Sequence, residues 1–306
     1  MNSVNHRPLL NFSILLAVDG SENSVDAALL VRSLPLGPGS RVAVVGVLSS
    51  GRSPYEEPLL AGMEKAQQII AEGGVETSSC LLHGHTAKAL VEYADEYQPD
   101  LIVVGATGLH TTLKVLLGGV AQQVVEYARW PVLVVRAPFN GIRRILLAAD
   151  GSPYTRLSAE YLAQFPLPQD VEVHIMHVLP SLPDLERIRS VMGYHSQHRS
   201  HIPPPAALQV DERQKQMEEM QARAIIKDAQ AILEEAGLET KGAIVRGDPA
   251  NEILEYSLAK KIDLVVAGSR GLSAIKGWWW GSVSRKLVHH AACSTLFVRG
   301  RPEHRE

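Results

Sequence analysis

The octapeptide ILLAVDGS at Ile14–Ser21 returns as ILLAADGS at Ile145–Ser152, 131 positions further along the chain. The same offset carries Leu34-Pro35-Leu36 onto Phe165-Pro166-Leu167 and Val47-Leu48 onto Val178-Leu179. Further on the offset becomes 163: Gly84 matches Gly247, Gly105 matches Gly268, Gly118 matches Gly281 and Arg136 matches Arg299. A single change of offset means a single insertion, between Leu179 and Gly247. A register held on both sides of one insertion marks a duplication. Two homologous domains are expected, 12–138 and 142–300, joined by the Pro/Gly segment 137–141.

Each copy alternates short apolar runs with helical spacing. Ile14–Val18, Arg41–Leu48, Glu76–His83, LIVVG from Leu101 and VLVV from Val132 read as strands, and the second copy repeats them. Between them the periodicity predicts helices over Ser21–Ser33 (capped near Ser24), Gly62–Glu72, Ala87–Gln98 and Ala121–Ala128. In the second copy it predicts helices over Val210–Ala236, Ala250–Lys261 and Ser284–Ala291. Continuously apolar strands are buried on both faces, as in a parallel sheet with helices on each side. The fold class is therefore α/β, with two tandem doubly wound domains of five parallel strands each. Such sheets bind ligands at the carboxyl ends of the strands, where strand order reverses.

Composition narrows the function. The chain has 306 residues, 45% hydrophobic and 21% charged, with a net charge of -3 and 5% aromatics. That is globular, and it lacks the basic field and the aromatic platforms that nucleic acid calls for. No apolar run approaches bilayer length. Two cysteines and an N-terminus without a secretory pattern point to the cytoplasm.

The stretch carrying chemistry is GSRGLSAIKGWWWGSVS at Gly268–Ser284, spaced G-x2-G-x9-G-S. Its first glycines let the backbone turn close to a ligand. Its last Gly-Ser opens a helix, where free amides and the dipole favour an anion and a serine hydroxyl adds a donor. Spacing alone also fits a plain tight turn. No GxxxxGK[ST] phosphate loop, G-x-G-x-x-G fingerprint or G-x-S-x-G elbow occurs, and no residue stands out as a catalytic base.

With the Asp-Gly-Ser that ends the first strand and the closing strands VLVVR and TLFVR, this loop resembles the universal stress protein family. The resemblance covers nearly the whole chain as two copies. It implies an adenine-nucleotide-binding fold pairing through its last strand, with ATP as ligand and Mg2+ as its companion. Carried onto the second copy, it places Ala149 and Asp150 by adenine and ribose and the Val178 backbone on adenine. Gly268, Gly271, Gly281, Ser282, Val283 and Ser284 hold phosphates, with Arg270 as an extra contact. In the first copy the same positions are Val18, Asp19, Val47, Gly105, Gly108, Gly118, Gly119 and Val120. There Gly119 replaces Ser282 and Ala121 replaces Ser284. Two missing hydroxyls weaken binding roughly 10- to 1000-fold, at about 0.7–2 kcal/mol each. The expected function is ATP held as a stress or signalling module, mainly in the second domain. The alternatives are a slow ATPase or nucleotidyl transferase, and an interaction protein with vestigial loops. Pairing of the two last strands makes the chain a covalent pseudo-dimer; a homodimer of such chains is a further option.

Other features read as structural. Asp19 and Asp150 also suit turns. Trp278–Trp280 suits packing. His195, His198 and His201, in a polar stretch ending in three prolines, suit an insertion over 180–208 rather than a metal site. That insertion follows Val178 and is a candidate lid. His174 and His177 fall on opposite faces of a strand. No metal site is expected.

Overall fold

The computed structural model describes residues 11–48, 56–107, 118–181, 212–269 and 281–299. The first half runs β1 (Ser13–Val18), α1 (Glu22–Ser33), β2 (Arg41–Leu48), α2 (Glu56–Ala71), β3 (Glu76–His83), α3 (Thr86–Tyr97), β4 (Leu101–Gly105), α4 (Gly119–Tyr127) and β5 (Val132–Val135). The second half repeats the order: β6 (Arg144–Ala148), α5 (Pro153–Gln164), β7 (Glu172–Leu179), α6 (Glu212–Glu235), β8 (Glu239–Arg246), α7 (Pro249–Ala259), β9 (Leu264–Gly268), α8 (Ser282–His290) and β10 (Ser294–Val298).

The strands form one ten-stranded sheet in the order β3-β2-β1-β4-β5-β10-β9-β6-β7-β8. Each half supplies five parallel strands, and one antiparallel step joins them. At that step Val134 faces Thr295, Leu133 faces Leu296 and Val132 faces Phe297. The two five-stranded units expected from the sequence are thus continuous through their last strands. The reason lies in β5 and β10. Each ends its own half as a fully buried run, all apolar in β5 and apolar from Leu296 to Val298 in β10, and an edge of that kind is satisfied by pairing with its twin.

Alternation along each strand explains both helical layers. Ile14, Leu16 and Val18 face a core completed by α1, α2, α5 and α6, while Leu15 faces one completed by α3, α4, α7 and α8. Both cores draw residues from both halves. Phe12 of the first half meets Phe165 and Tyr161 of the second edge-on, and the Tyr161 hydroxyl donates to the Asp100 carbonyl at 2.9 Å. The outer strands β3 and β8 are mostly half-exposed, in keeping with their position at the sheet edges.

Two local expectations need correction. The first helix is capped by Ser21, whose hydroxyl accepts from the Ser24 amide, so the cap lies three residues before the predicted one. α2 begins at Glu56, six residues before Gly62. Its buried Leu59, Met63, Ala66 and Ile70 keep helical spacing across that glycine. Gly62 serves close packing, since a Cβ there would stand 2.5 Å from the Cα of Gly20, in the Asp-Gly-Ser turn. Gly20 and its counterpart Gly151 have φ of +83° and +79°, a region costly for other residues.

Among the described residues no helix is long and apolar enough to cross a membrane, and no group of three potential metal-ligating side chains occurs. The predicted His195–His201 cluster, the 180–208 lid segment beyond Ser181 and Trp278–Trp280 lie outside the described residues.

Candidate functional site

Strand order reverses between β1 and β4 in the first half and between β6 and β9 in the second. At the second reversal the carboxyl ends of β6, β7 and β9 and the starts of α7 and α8 enclose a cleft of about 340 Å³. That is within the roughly 300–1,000 Å³ common for small-molecule sites. Ala149, Asp150, Val178, Gly268, Gly281, Ser282, Val283 and Ser284 all line it. The remaining two predicted positions, Arg270 and Gly271, lie outside the described residues.

One wall is apolar. Ala148, Met176, Pro249, Ile253 and Ala267 were not foreseen and form it with Val178. The ladder between β6 and β7 ends at Ala148 and Met176, while β7 continues to Leu179. The Met176 carbonyl points towards the first of these strands, accepting from the Ala149 amide at 2.9 Å. Groups on alternate residues of a strand point the same way. The Val178 amide and carbonyl therefore face the side where β6 has stopped, onto the cleft.

The turn after β6 is locked. Asp150 Oδ1 accepts from the Ser152 amide at 2.9 Å and from Thr155 Oγ1 at 2.8 Å. Thr155 Oγ1 in turn accepts from the amides of Asp150 and Gly151, at 3.0 and 3.2 Å. His177 Nδ1 lies 2.7 Å from the Ala149 carbonyl. A carbonyl only accepts, so Nδ1 carries the proton. With its amide on Met176 and its carbonyl on His177, Ala149 meets the cleft through its methyl group. Neither Thr155 nor His177 was singled out for the site by sequence. The usable signal for Thr155 was a hydroxyl five residues after the aspartate in both copies, Ser24 and Thr155.

Another part of the lining is the start of α8. Gly281 is its N-cap and no side chain caps it. The Gly281 amide is already bonded to the Ser269 carbonyl at 3.1 Å. The first-turn amides of Ser282, Val283 and Ser284 have no carbonyl within the helix to reach. Ser284 Oγ donates to the Gly268 carbonyl at 2.8 Å and is buried, which ties α8 to the end of β9. Its hydroxyl proton is thus spent on the fold, whereas Ser282 is exposed. Asp248 caps α7 through the Asn251 amide and meets Lys286 of α8 at 3.2 Å. The amide bond first, and Lys286 second, hold the Asp248 carboxyl below the usual range. Asp150 is the one carboxylate among the described lining residues.

In the first half, Val18 ends β1, and Asp19 Oδ1 accepts from the Ser21 amide at 3.0 Å. Gly118 caps α4 and its amide bonds to the Ala106 carbonyl at 2.7 Å, the counterpart of the Gly281 bond. Gly119 and Val120 open that helix, both exposed; Gly105 and Val47 are half-buried; Gly108 lies outside the described residues.

A doubly wound tandem with a helix N-terminus facing an apolar slot defines the class. The profile of the universal stress protein family matches residues 11–136 and again 141–299. The chain belongs to that family, as two copies in tandem. A universal stress protein of Mycolicibacterium smegmatis is 26% identical over 315 residues, covering 95% of this chain and 98% of that one. One from Thermus aquaticus is 34% identical over 134 residues, 40% of this chain and 98% of its own length. The crystal structure of a universal stress protein from Archaeoglobus fulgidus superimposes with a TM-score of 0.60 at 20% identity, covering 94% of this chain and 98% of that one.

Proposed function

We propose that the chain is a stress-response module that binds ATP, held mainly in the cleft of the second half and retained rather than turned over. The observation that carries this reading is that one cleft is lined by both an apolar patch and an uncapped helix start. An apolar slot beside the free Val178 backbone suits a flat base, and a bare helix start suits phosphates. Asp150, a carboxylate held at the cleft by the Ser152 amide and Thr155, suits sugar hydroxyls. With a single carboxylate among the described lining residues, an accompanying Mg2+ would be held chiefly by phosphates and water. The residues on hand fit the nucleotide better than they fit a dedicated metal cage.

The two domains, 12–138 and 142–300, stand to each other as the subunits of a dimer, a covalent pseudo-dimer joined through β5 and β10. The expected compartment is the cytoplasm. Calorimetry with ATP, and mass spectrometry of the supernatant from denatured protein, test the reading. Gly281→Val with Ser282→Ala is expected to lower ATP affinity at least about a hundredfold, by blocking the approach and removing a donor. The matching Gly118→Val is expected to leave the main binding event unchanged. Wild-type protein that neither carries nor takes up adenine nucleotides would sink the proposal, and intact ATP after long incubation separates holding from hydrolysis.

A further inference from the structure

The helix that presents its start to the cleft is held at its other end by the other half of the molecule. Arg136 directly follows β5. Its Nη2 donates to the carbonyls of Val288 and His289, in the last turn of α8, at 3.0 and 3.1 Å. Its own amide donates to Ser294 Oγ at 3.2 Å. The mirror contact exists too: Arg299, directly after β10, donates through Nη2 to the carbonyls of Val125 and of Glu126, the latter at 3.0 Å, at the end of α4. Each half therefore caps the last helix of its neighbour.

Three physical facts make this more than a seam contact. α8 has nine residues, about 14 Å, and helices so short are marginal without external support. The last carbonyls of a helix lack internal partners, and a cation there complements the dipole. The same dipole, at its other end, faces the cleft. Ser284, Leu287 and Val288 anchor one face of α8 in the core, but the carbonyls of its last turn point to a side chain from residue 136.

We propose that Arg136, supplied by the first half, is a positioning residue for the ligand cleft of the second half. It fixes the axis of α8 and so the aim of the amides of Ser282, Val283 and Ser284. By symmetry Arg299 acts on the start of α4 and not on this cleft. The proposal rests on the reading of the cleft as an ATP site.

The test is ATP calorimetry on the full chain, with thermal unfolding alongside, for wild type, Arg136→Met, Arg136→Lys and Arg299→Met. Arg136→Met is expected to weaken ATP binding by about three- to thirtyfold, and Arg136→Lys to recover part of that loss. Arg299→Met is expected to lower the Tm by a similar amount while leaving affinity within roughly twofold. Hydrogen exchange adds a readout without ligand: amides from Arg285 to His290 should exchange faster in the Arg136 variants only. If Arg136→Met fails to fold, the Lys variant and its exchange pattern decide. Unchanged affinity in Arg136→Met, or an equal loss in Arg299→Met, overturns the positioning role while leaving the ATP site standing. Wild-type protein that does not bind ATP overturns the ATP reading itself, and this proposal with it.

Discussion

The two halves close the loop after their fourth strand with the same bond, Gly118 to Ala106 and Gly281 to Ser269, yet they surround it differently. In the first half Asn23 leans on the loop. Its Nδ2 donates to Thr107 Oγ1 at 2.6 Å, and a Cβ at Gly105 would stand 2.9 Å from the Asn23 Cβ. The repeat puts Tyr154 and Arg270 at the counterparts of Asn23 and Thr107. The turn hydroxyl differs as well: Ser24 Oγ donates to the Ser21 carbonyl three residues back, whereas Thr155 Oγ1 donates to the Asp150 carboxylate five residues back. Ser284 ties α8 to β9, and Ala121 has no hydroxyl with which to do the same for α4. One backbone thus serves two ends. Side chains decide how each loop is tied to its own fold.

The largest effect that can break this comparison lies at the seam, where the halves are alike. Leu296→Asp places an unpaired charge at a fully buried position opposite Leu133. It should cost about 4 kcal/mol or more in urea unfolding. The outer strand β3 is the reference: exposed Ser79→Asp should change stability by less than about 0.5 kcal/mol. A seam variant as mild as the edge variant would mean the ten strands do not form one sheet.

A graft sharpens the comparison of the loops. Gly119→Ser adds an exposed hydroxyl at the start of α4 and Ala121→Ser the tie to β4 that Ser284 makes to β9, and ATP binding in the first half should strengthen about tenfold in calorimetry. No gain would shift the blame to the Asn23–Thr107 contact, and adding Asn23→Ala would then be the decisive variant.

The smallest effect concerns acid. The described carboxyls held below their usual range, Glu172 by Lys241 and then His174, Glu218 by Arg246 and Asp248 by the Asn251 amide, all belong to the second half. A depressed carboxyl contributes stability above its unfolded pKa, near 4. That contribution is lost as pH falls through the lower folded value. All three pairs are at least partly exposed, so each effect is modest. Between about pH 4 and pH 2.5, pepsin should first cut in the second half. First cuts in α3 or β2 would contradict this order.

Much of this was legible from the chain. The repeat set out the order of the described strands and helices, because continuous apolar runs and helical spacing are local signals. The glycine spacing at Gly268–Ser284 pointed to the end of the sheet where the cleft lies, since a parallel sheet gathers its loops there. What stayed hidden was contact between distant residues. Gly62 looked like a boundary because its reason, the approach of Gly20, is forty-two positions away. Thr155 and His177 act by holding the turn around Ala149 and Asp150, which no pattern reports. Arg136 and Arg299 were visible as matching positions, but that each serves the other copy follows only from the antiparallel step.

That step also has a consequence in time. Arg136 and its partner Ser294 are 158 residues apart. At about 5–20 residues per second, a ribosome takes roughly 8–30 s to cover that distance. Throughout that interval the newborn first half carries β5 as a bare, fully apolar margin. Two nascent chains on one messenger could trade partners there, so slow synthesis of the second half is when this protein is most exposed to swapped assembly.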